Sequence, residues 1–290
     1  MRHTQREALI IVGILSTVLG ALVILLRGYV WITRRRKQGL DDLFMGIAWI
    51  FSIGFAIASF LSVRYGVGLK TEQLPASAEI LAMKSIYAIQ IFYYLSVFCI
   101  KMSIMCLYLR ISQALRTWFW KASIATIVLL VAQFFSTILV TLLQCRPIPK
   151  YWDQSLAGTC ININAFFYST NAFTVASDIL IFALPLPLLW SLKKTTKRDR
   201  YAVLAAFMVG FVSTIVAGVR LYSIRVYTLS TEPVREAAPI NLWSFVEVNL
   251  GMLCTSGPVI KALIVTSSKK GAMMQGLTFD SSRPSQPVEI

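Results

Sequence analysis

Apolar residues in this chain come in long unbroken blocks, not in the alternation of a half-buried strand or the narrow stripe of a soluble amphipathic helix. Seven blocks, at residues 8–32, 43–63, 86–109, 122–143, 167–192, 201–222 and 241–265, each supply the roughly 20 mostly apolar residues that a helix needs to cross hydrocarbon. Backbone polar groups in lipid must pair within their own segment, so such blocks are read as helices. The segmental alternation of a transmembrane β-barrel is missing. The first block is too long for the apolar region of a signal peptide and lacks a small-residue cleavage site. The expected fold is an all-α membrane protein, a seven-transmembrane-helix bundle over residues 8–265. A short extracellular N-terminus at 1–7 and a disordered cytoplasmic tail at 266–290, with Ser281, Ser282, Pro284, Ser285 and Pro287, are expected to flank it.

Basic residues orient the bundle. Arg34, Arg35, Arg36 and Lys37 follow the first block, Arg110, Arg116 and Lys121 the third, and Lys193, Lys194, Lys197, Arg198 and Arg200 the fifth. The opposite loops are poorer in Lys and Arg. The richer side is expected to be cytoplasmic, which puts the N-terminus outside and the C-terminus inside.

Composition narrows the function classes. The chain is 57% hydrophobic and 14% charged with a mean hydropathy of +0.68, far from a soluble enzyme, where about a quarter of residues are charged. The net charge of +15 is carried mostly by one set of loops, so the expected partner is the lipid bilayer and not nucleic acid. His3 is the single histidine, and no C-x-x-C pair occurs among the five cysteines, so neither a metal site nor a cofactor is expected.

Ionisable residues at bilayer depth are costly unless paired or hydrated, and therefore default to functional candidates. Four stand out: Lys101, Asp178, Arg220 and Glu247. Tyr87, Tyr94, Lys101 and Tyr108 recur every seven residues on one stripe of the third block; Asn171, Thr174 and Asp178 share a face of the fifth. On the sixth, Ser213, Ala217 and Arg220 align, and on the seventh Glu247, Gly251, Cys254 and Pro258. Lys101 and Asp178 lie mid-membrane, and Arg220 and Glu247 nearer the outer side, so two ion pairs are expected, Lys101 with Asp178 and Arg220 with Glu247. Such pairs serve as clasps that fix helix register, or as the wall of a cavity for a small lipophilic ligand or substrate, with Tyr94 and Asn171 in the same wall. A proton or ion path is the third reading.

Two further features stand out. Pro185 and Pro187 fall inside the fifth block and are expected to kink its helix. Cys145 and Cys160 flank an outer loop on the oxidising side and are expected to form a disulfide, holding Tyr151, Trp152 and Asp153 as a lid.

Several strings together resemble the fungal rhodopsin-domain family of integral membrane proteins. They are Asp41-Asp42, Tyr65-Gly66-Val67-Gly68, Lys101-Met102-Ser103-Ile104, Tyr108-Leu109-Arg110-Ile111 and Cys145-Arg146-Pro147-Ile148-Pro149. Tyr151-Trp152-Asp153, Gly158-Thr159-Cys160, Asp178, Pro185-Leu186-Pro187, Trp190, Arg220 and Glu247 complete the set, which runs from the first block to the seventh. The resemblance implies a seven-helix protein related to pathogenicity-associated receptor-like proteins and to members encoded in secondary-metabolite gene clusters, such as the satratoxin cluster. The family often has His where this chain has Lys70. Retinal binding does not follow from the name: a retinylidene lysine sits mid-depth in the seventh helix, and Lys261 lies near its cytoplasmic end.

Two functions follow as expectations. The first is a receptor-like sensor of a small apolar molecule, whose binding between helices shifts a basic cytoplasmic face toward a signalling partner. The second is a membrane-embedded enzyme, or an accessory protein, of a secondary-metabolite gene cluster. As an enzyme it would use Asp178 or Glu247 as a catalytic general acid to protonate an alkene or epoxide. A transporter ranks below both, because no inverted repeat is visible.

Overall fold

The computed structural model describes residues 2–34, 39–69, 75–112, 118–153, 155–186, 197–230 and 233–280. Within them lie seven α-helices: α1 (Arg2–Arg34), α2 (Leu40–Arg64), α3 (Ala76–Ser112), α4 (Trp118–Leu142), α5 (Ile163–Ala183), α6 (Lys197–Leu229) and α7 (Pro233–Asp280). Between α4 and α5 a short ribbon pairs β1 (Cys145–Arg146) with β2 (Thr159–Cys160), around a 3-10 turn at Ile148–Tyr151. Among the described residues five helices, α1 to α5, are long and apolar enough to cross a membrane.

Local chemistry explains several boundaries. Asp41 and Asp42 occupy the first turn of α2, where carboxylates complement the unpaired N–H groups and the positive end of the helix dipole. The Asn162 side chain caps α5 by accepting from the Ala165 N–H at 3.1 Å. After α2 the chain turns through Gly68, whose φ of +92° suits glycine, and the Gly68 N–H donates to Val234 O at 3.1 Å, tying this turn to the start of α7.

Three boundaries differ from those of the apolar blocks. Residues 2–7 belong to α1, so the helix begins before the first apolar block. Residues 266–280 continue α7 as helix where a disordered tail was expected: Lys269, Lys270, Ala272, Met273 and Met274 favour helix, and no proline intervenes before Pro284. Residues 281–290 lie outside the described residues. Finally, α5 stops at Ala183. Pro185 has no N–H to give to the preceding turn; the chain turns at residues 184–185 and is helical again at Leu186, so the fifth block is interrupted at this proline. Pro187 lies outside the described residues.

Packing is inverted relative to a soluble protein. Ile11, Leu15, Val18, Leu22 and Leu25 of α1 point outward, whereas Ser52, Ser59, Ser96, Thr126, Thr141 and Asn249 are buried. Buried hydroxyls return to carbonyls of their own helix: Ser123 donates to Phe119 O at 2.8 Å and Thr141 to Thr137 O at 2.7 Å. Helix α3 runs through the centre, against α2, α4 and α7, while α1 closes on α7 and α2, and α5 lies on α6. A core of Met45, Phe55, Tyr93, Ile100, Phe245 and Met252 fills the α2–α3–α7 junction, with Phe55 edge-on to Phe245.

Candidate functional site

The four charges come together as two pairs. Lys101 Nζ lies 2.9 Å from Asp178 Oδ1, and also donates to Thr174 O at 3.0 Å and Ser177 Oγ at 2.7 Å. Thr174, Ser177 and Asp178 share one face of α5, so a single helical turn receives the ammonium. Lys101 thus carries two hydrogen bonds and one ion pair, all to α5.

The second pair is more deeply buried and less complete. Arg220 Nε approaches Glu247 Oε2 to 2.7 Å, both side chains being nearly inaccessible. The N–H and the carboxylate oxygen are close without being aligned as a hydrogen bond. Glu247 Oε1 accepts from the Tyr93 hydroxyl at 2.9 Å, and the Arg220 guanidinium rests 4.3 Å from the centre of the Tyr93 ring. A guanidinium carries five donors. Arg220 Nη2 is buried with no hydrogen-bond partner among the described residues.

Two cavities adjoin these pairs. An inner one, of about 80 Å³, is lined by Lys101, Asp178 and Glu247 together with Ser213, Gly251 and Cys254, which places the polar faces of α6 and α7 in one wall. An outer one, of about 70 Å³, is lined by Tyr93, Tyr94, Asn171, Arg220, Asn241 and Ser244 against Ile86, Ile89 and Ile224. Glu247 stands in the wall of the inner cavity and Arg220 in that of the outer. Asn171 donates from Nδ2 to Phe167 O at 2.7 Å, which fixes the orientation of its carboxamide and leaves Oδ1 without a partner.

The outer loop covers this end. Cys145 and Cys160 form a disulfide across directly paired residues of β1 and β2. Gly158 allows the ribbon to close, because a Cβ there would collide with the Arg146 carbonyl. Tyr151 and Trp152 lie over Tyr87, with ring centres 5.3 and 6.0 Å away, and Lys84 Nζ stands 5.5 Å from the Trp152 ring. Asp153 turns away, accepting from the Ser155 N–H and hydroxyl. Burial pushes the Tyr151 phenol well above its ordinary pKa, with the neighbouring Tyr227, Tyr94 and Tyr87 adding to the shift.

A further charged layer escaped the sequence reading. Arg27, buried near the end of α1, donates to Asp42 Oδ1 at 2.9 Å, Ser256 Oγ at 3.1 Å and Thr255 O at 2.7 Å. Asp41 meets Arg110 at 3.3 Å, and its carbonyl accepts from Ser103 at 2.6 Å. These contacts tie α1, α2, α3 and α7 at the end opposite the lid. The signal was an unbalanced cation inside the first apolar block, followed after a short loop by two adjacent aspartates.

Residues 26–266, running from this charged layer through both ion pairs, match the fungal rhodopsin domain. The chain belongs to that family. Among its relatives is a SAT4 family membrane protein of Emericella nidulans, 28% identical over 207 residues, covering 71% of this chain and 52% of the relative. Receptor GIN3 of Arthrobotrys oligospora is 27% identical over 184 residues, covering 63% of this chain and 44% of that protein. The Wortmanamides biosynthesis cluster protein C of Talaromyces wortmannii is 26% identical over 258 residues, covering 87% and 69%. The chain spans about half the length of the first two. Family and helices together make it a multi-pass membrane protein.

Proposed function

We propose that all seven helices cross the bilayer, N-terminus outside and C-terminus cytoplasmic, and that the protein is a receptor-like sensor of a small apolar molecule bound between helices. The observation that carries this reading is the pair of cavities set against buried, mutually neutralising charges among α3, α5, α6 and α7. A site of this kind is concave, mostly apolar and carries a few fixed polar groups. Occupancy would change the packing of α6 and α7 against α3, and the Arg27–Asp42 and Arg110–Asp41 layer would report that change to a cytoplasmic signalling partner. The name of the Arthrobotrys relative as a receptor adds support.

Hydrogen exchange on the protein in nanodiscs tests this reading, with an organic extract of fungal culture medium as probe. The extract should slow exchange around the outer halves of α3 and α6 and alter it around Arg27 and Arg110. If the response persists when the outer cavity is filled by Ser244→Phe, the proposed cavity is wrong.

A second reading, a membrane-embedded enzyme of secondary metabolism, draws on Glu247, which is hydrogen-bonded to Tyr93 and shares a cavity with Asp178, and on the relative named for a biosynthesis cluster. Metabolite profiling of a deletion strain separates the two. A precursor that accumulates, and is converted by wild-type membranes but not by membranes carrying Glu247→Gln, favours the enzyme.

A further inference from the structure

The outer cavity carries a specific pattern of unmet hydrogen bonds. Among the described residues, Arg220 Nη2, Asn241 Nδ2 and Gln90 Nε2 are buried donors without a partner, and Asn171 Oδ1 and Gln90 Oε1 are buried acceptors without one. All four side chains are at least nine-tenths buried and line the same cavity, whose remaining wall is largely aliphatic and aromatic. Native interiors seldom leave such groups unpaired, so four such side chains around one small cavity point to an occupant that completes them.

Their chemistry defines that occupant. Arg220 is already neutralised by Glu247 at 2.7 Å. An anionic ligand would therefore bury a third charge with no counterpart, which a low-dielectric site penalises heavily. The donors of Arg220, Asn241 and Gln90 call for an uncharged acceptor, and the carboxamide oxygens of Asn171 and Gln90 call for a hydroxyl. Resting on the sensor reading, we propose that the outer cavity binds a neutral, mostly apolar hydroxy-carbonyl compound. Its carbonyl oxygen accepts from Arg220 and Asn241, and its hydroxyl donates to Asn171. Tyr151, buried in the lid with its own hydroxyl unpartnered, closes the outer end over Tyr87.

Infrared spectroscopy of the full-length protein in nanodiscs tests the assignment, with cyclohexanone, hydroxycyclohexanone (hydroxyl beside the carbonyl), cyclohexanecarboxylate and cyclohexane as probes. A carbonyl held by a guanidinium and an amide N–H stretches at lower frequency than one dissolved in lipid. Both ketones should show a saturable, down-shifted carbonyl band. The hydroxyketone should bind roughly tenfold tighter than cyclohexanone, since it adds one hydrogen bond to a buried acceptor. Asn241→Leu should weaken both ketones, and Asn171→Leu should remove only the advantage of the hydroxyketone. Saturable heating of the thermal transition by the ketones, and none by cyclohexane, provides a second readout and establishes that each variant is folded.

A cavity that takes up only water, giving no saturable band with folded wild-type protein, overturns the proposal. So does tighter binding of the carboxylate than of the ketone. Loss of the band while the culture extract still alters hydrogen exchange would remove this ligand class and leave the sensor standing. A clear ketone band with no exchange response anywhere would leave the site standing and remove the sensor.

Discussion

The two buried ion pairs have the same charge balance and different hydrogen-bond states. Lys101 pairs with Asp178 and donates to Thr174 O and Ser177 Oγ, all on α5, so it acts as a clasp between α3 and α5. Arg220 offers five donors to one carboxylate and one aromatic face, and keeps Nη2 free beside a cavity. A compact ammonium is easily saturated by a single helical turn, whereas a planar guanidinium fans its donors across several elements. Charge pairing in a membrane thus has two uses, and the count of unspent donors tells them apart.

The largest effect should come from opening the clasp. Asp178→Leu leaves the Lys101 ammonium without its counter-charge and should destabilise by about 3–5 kcal/mol, read as thermal unfolding in nanodiscs. Adding Lys101→Met should recover most of that loss, because both charges then disappear. A clasp is defined by this recovery; without it, Lys101 and Asp178 do more than hold helices.

Removing the disulfide should come next. Cys145→Ser with Cys160→Ser opens a loop with a separation of 15 residues. The cost is about 3 kcal/mol in the chain-entropy picture. Hydrogen exchange should rise around the lid and the Arg220 side, and stay unchanged at Thr174 and Ser177.

Tyr93→Phe removes the hydroxyl that holds Glu247 Oε1 while keeping the ring beneath Arg220. The loss of a hydrogen bond to a charged group should cost about 2 kcal/mol.

The lid gives a smaller, pH-dependent effect. Because the Tyr151 phenol is raised above the ordinary value of 10.0, its contribution is complete below that pH. As pH rises above 10.0 the unfolded chain releases the proton first, and stability falls by at most about 1.4 kcal/mol per pH unit until the folded phenol also ionises. Tyr151→Phe should abolish that component in a pH series of melting curves.

The smallest effect has the opposite sign. Asn241→Leu replaces a buried donor that has no partner, and should leave stability unchanged or raise it by up to about 1 kcal/mol, while weakening ketone binding. The equivalent change at Ser177, whose hydroxyl accepts from Lys101, should destabilise.

Much of this was legible before any coordinates. Lipid forbids unpaired backbone groups, so hydropathy alone marked where the helices run, and the same solvent forbids lone charges, so depth alone matched Lys101 to Asp178 and Arg220 to Glu247. Helix ends were less legible, because a helix ends where local bonds run out, as at Ala183 before Pro185, and not where apolar residues do. The Arg27 layer was missed for a related reason: Asp42 follows it after a short loop, but its other partners, residues 255 and 256 of α7, are marked as neighbours by nothing along the chain.

The sequence by itself determined the helical class and the identity of the charged residues that must meet, since both follow from composition and period, and its motif strings carried the family resemblance. Only the tertiary structure decided which of those meetings is complete. Whether a donor finds an acceptor depends on a few tenths of an ångström and on the angle between side chains from distant helices. Those helices leave the Lys101 ammonium held by two hydrogen bonds and an ion pair on α5, and Arg220 Nη2 with a hydrogen bond still to make.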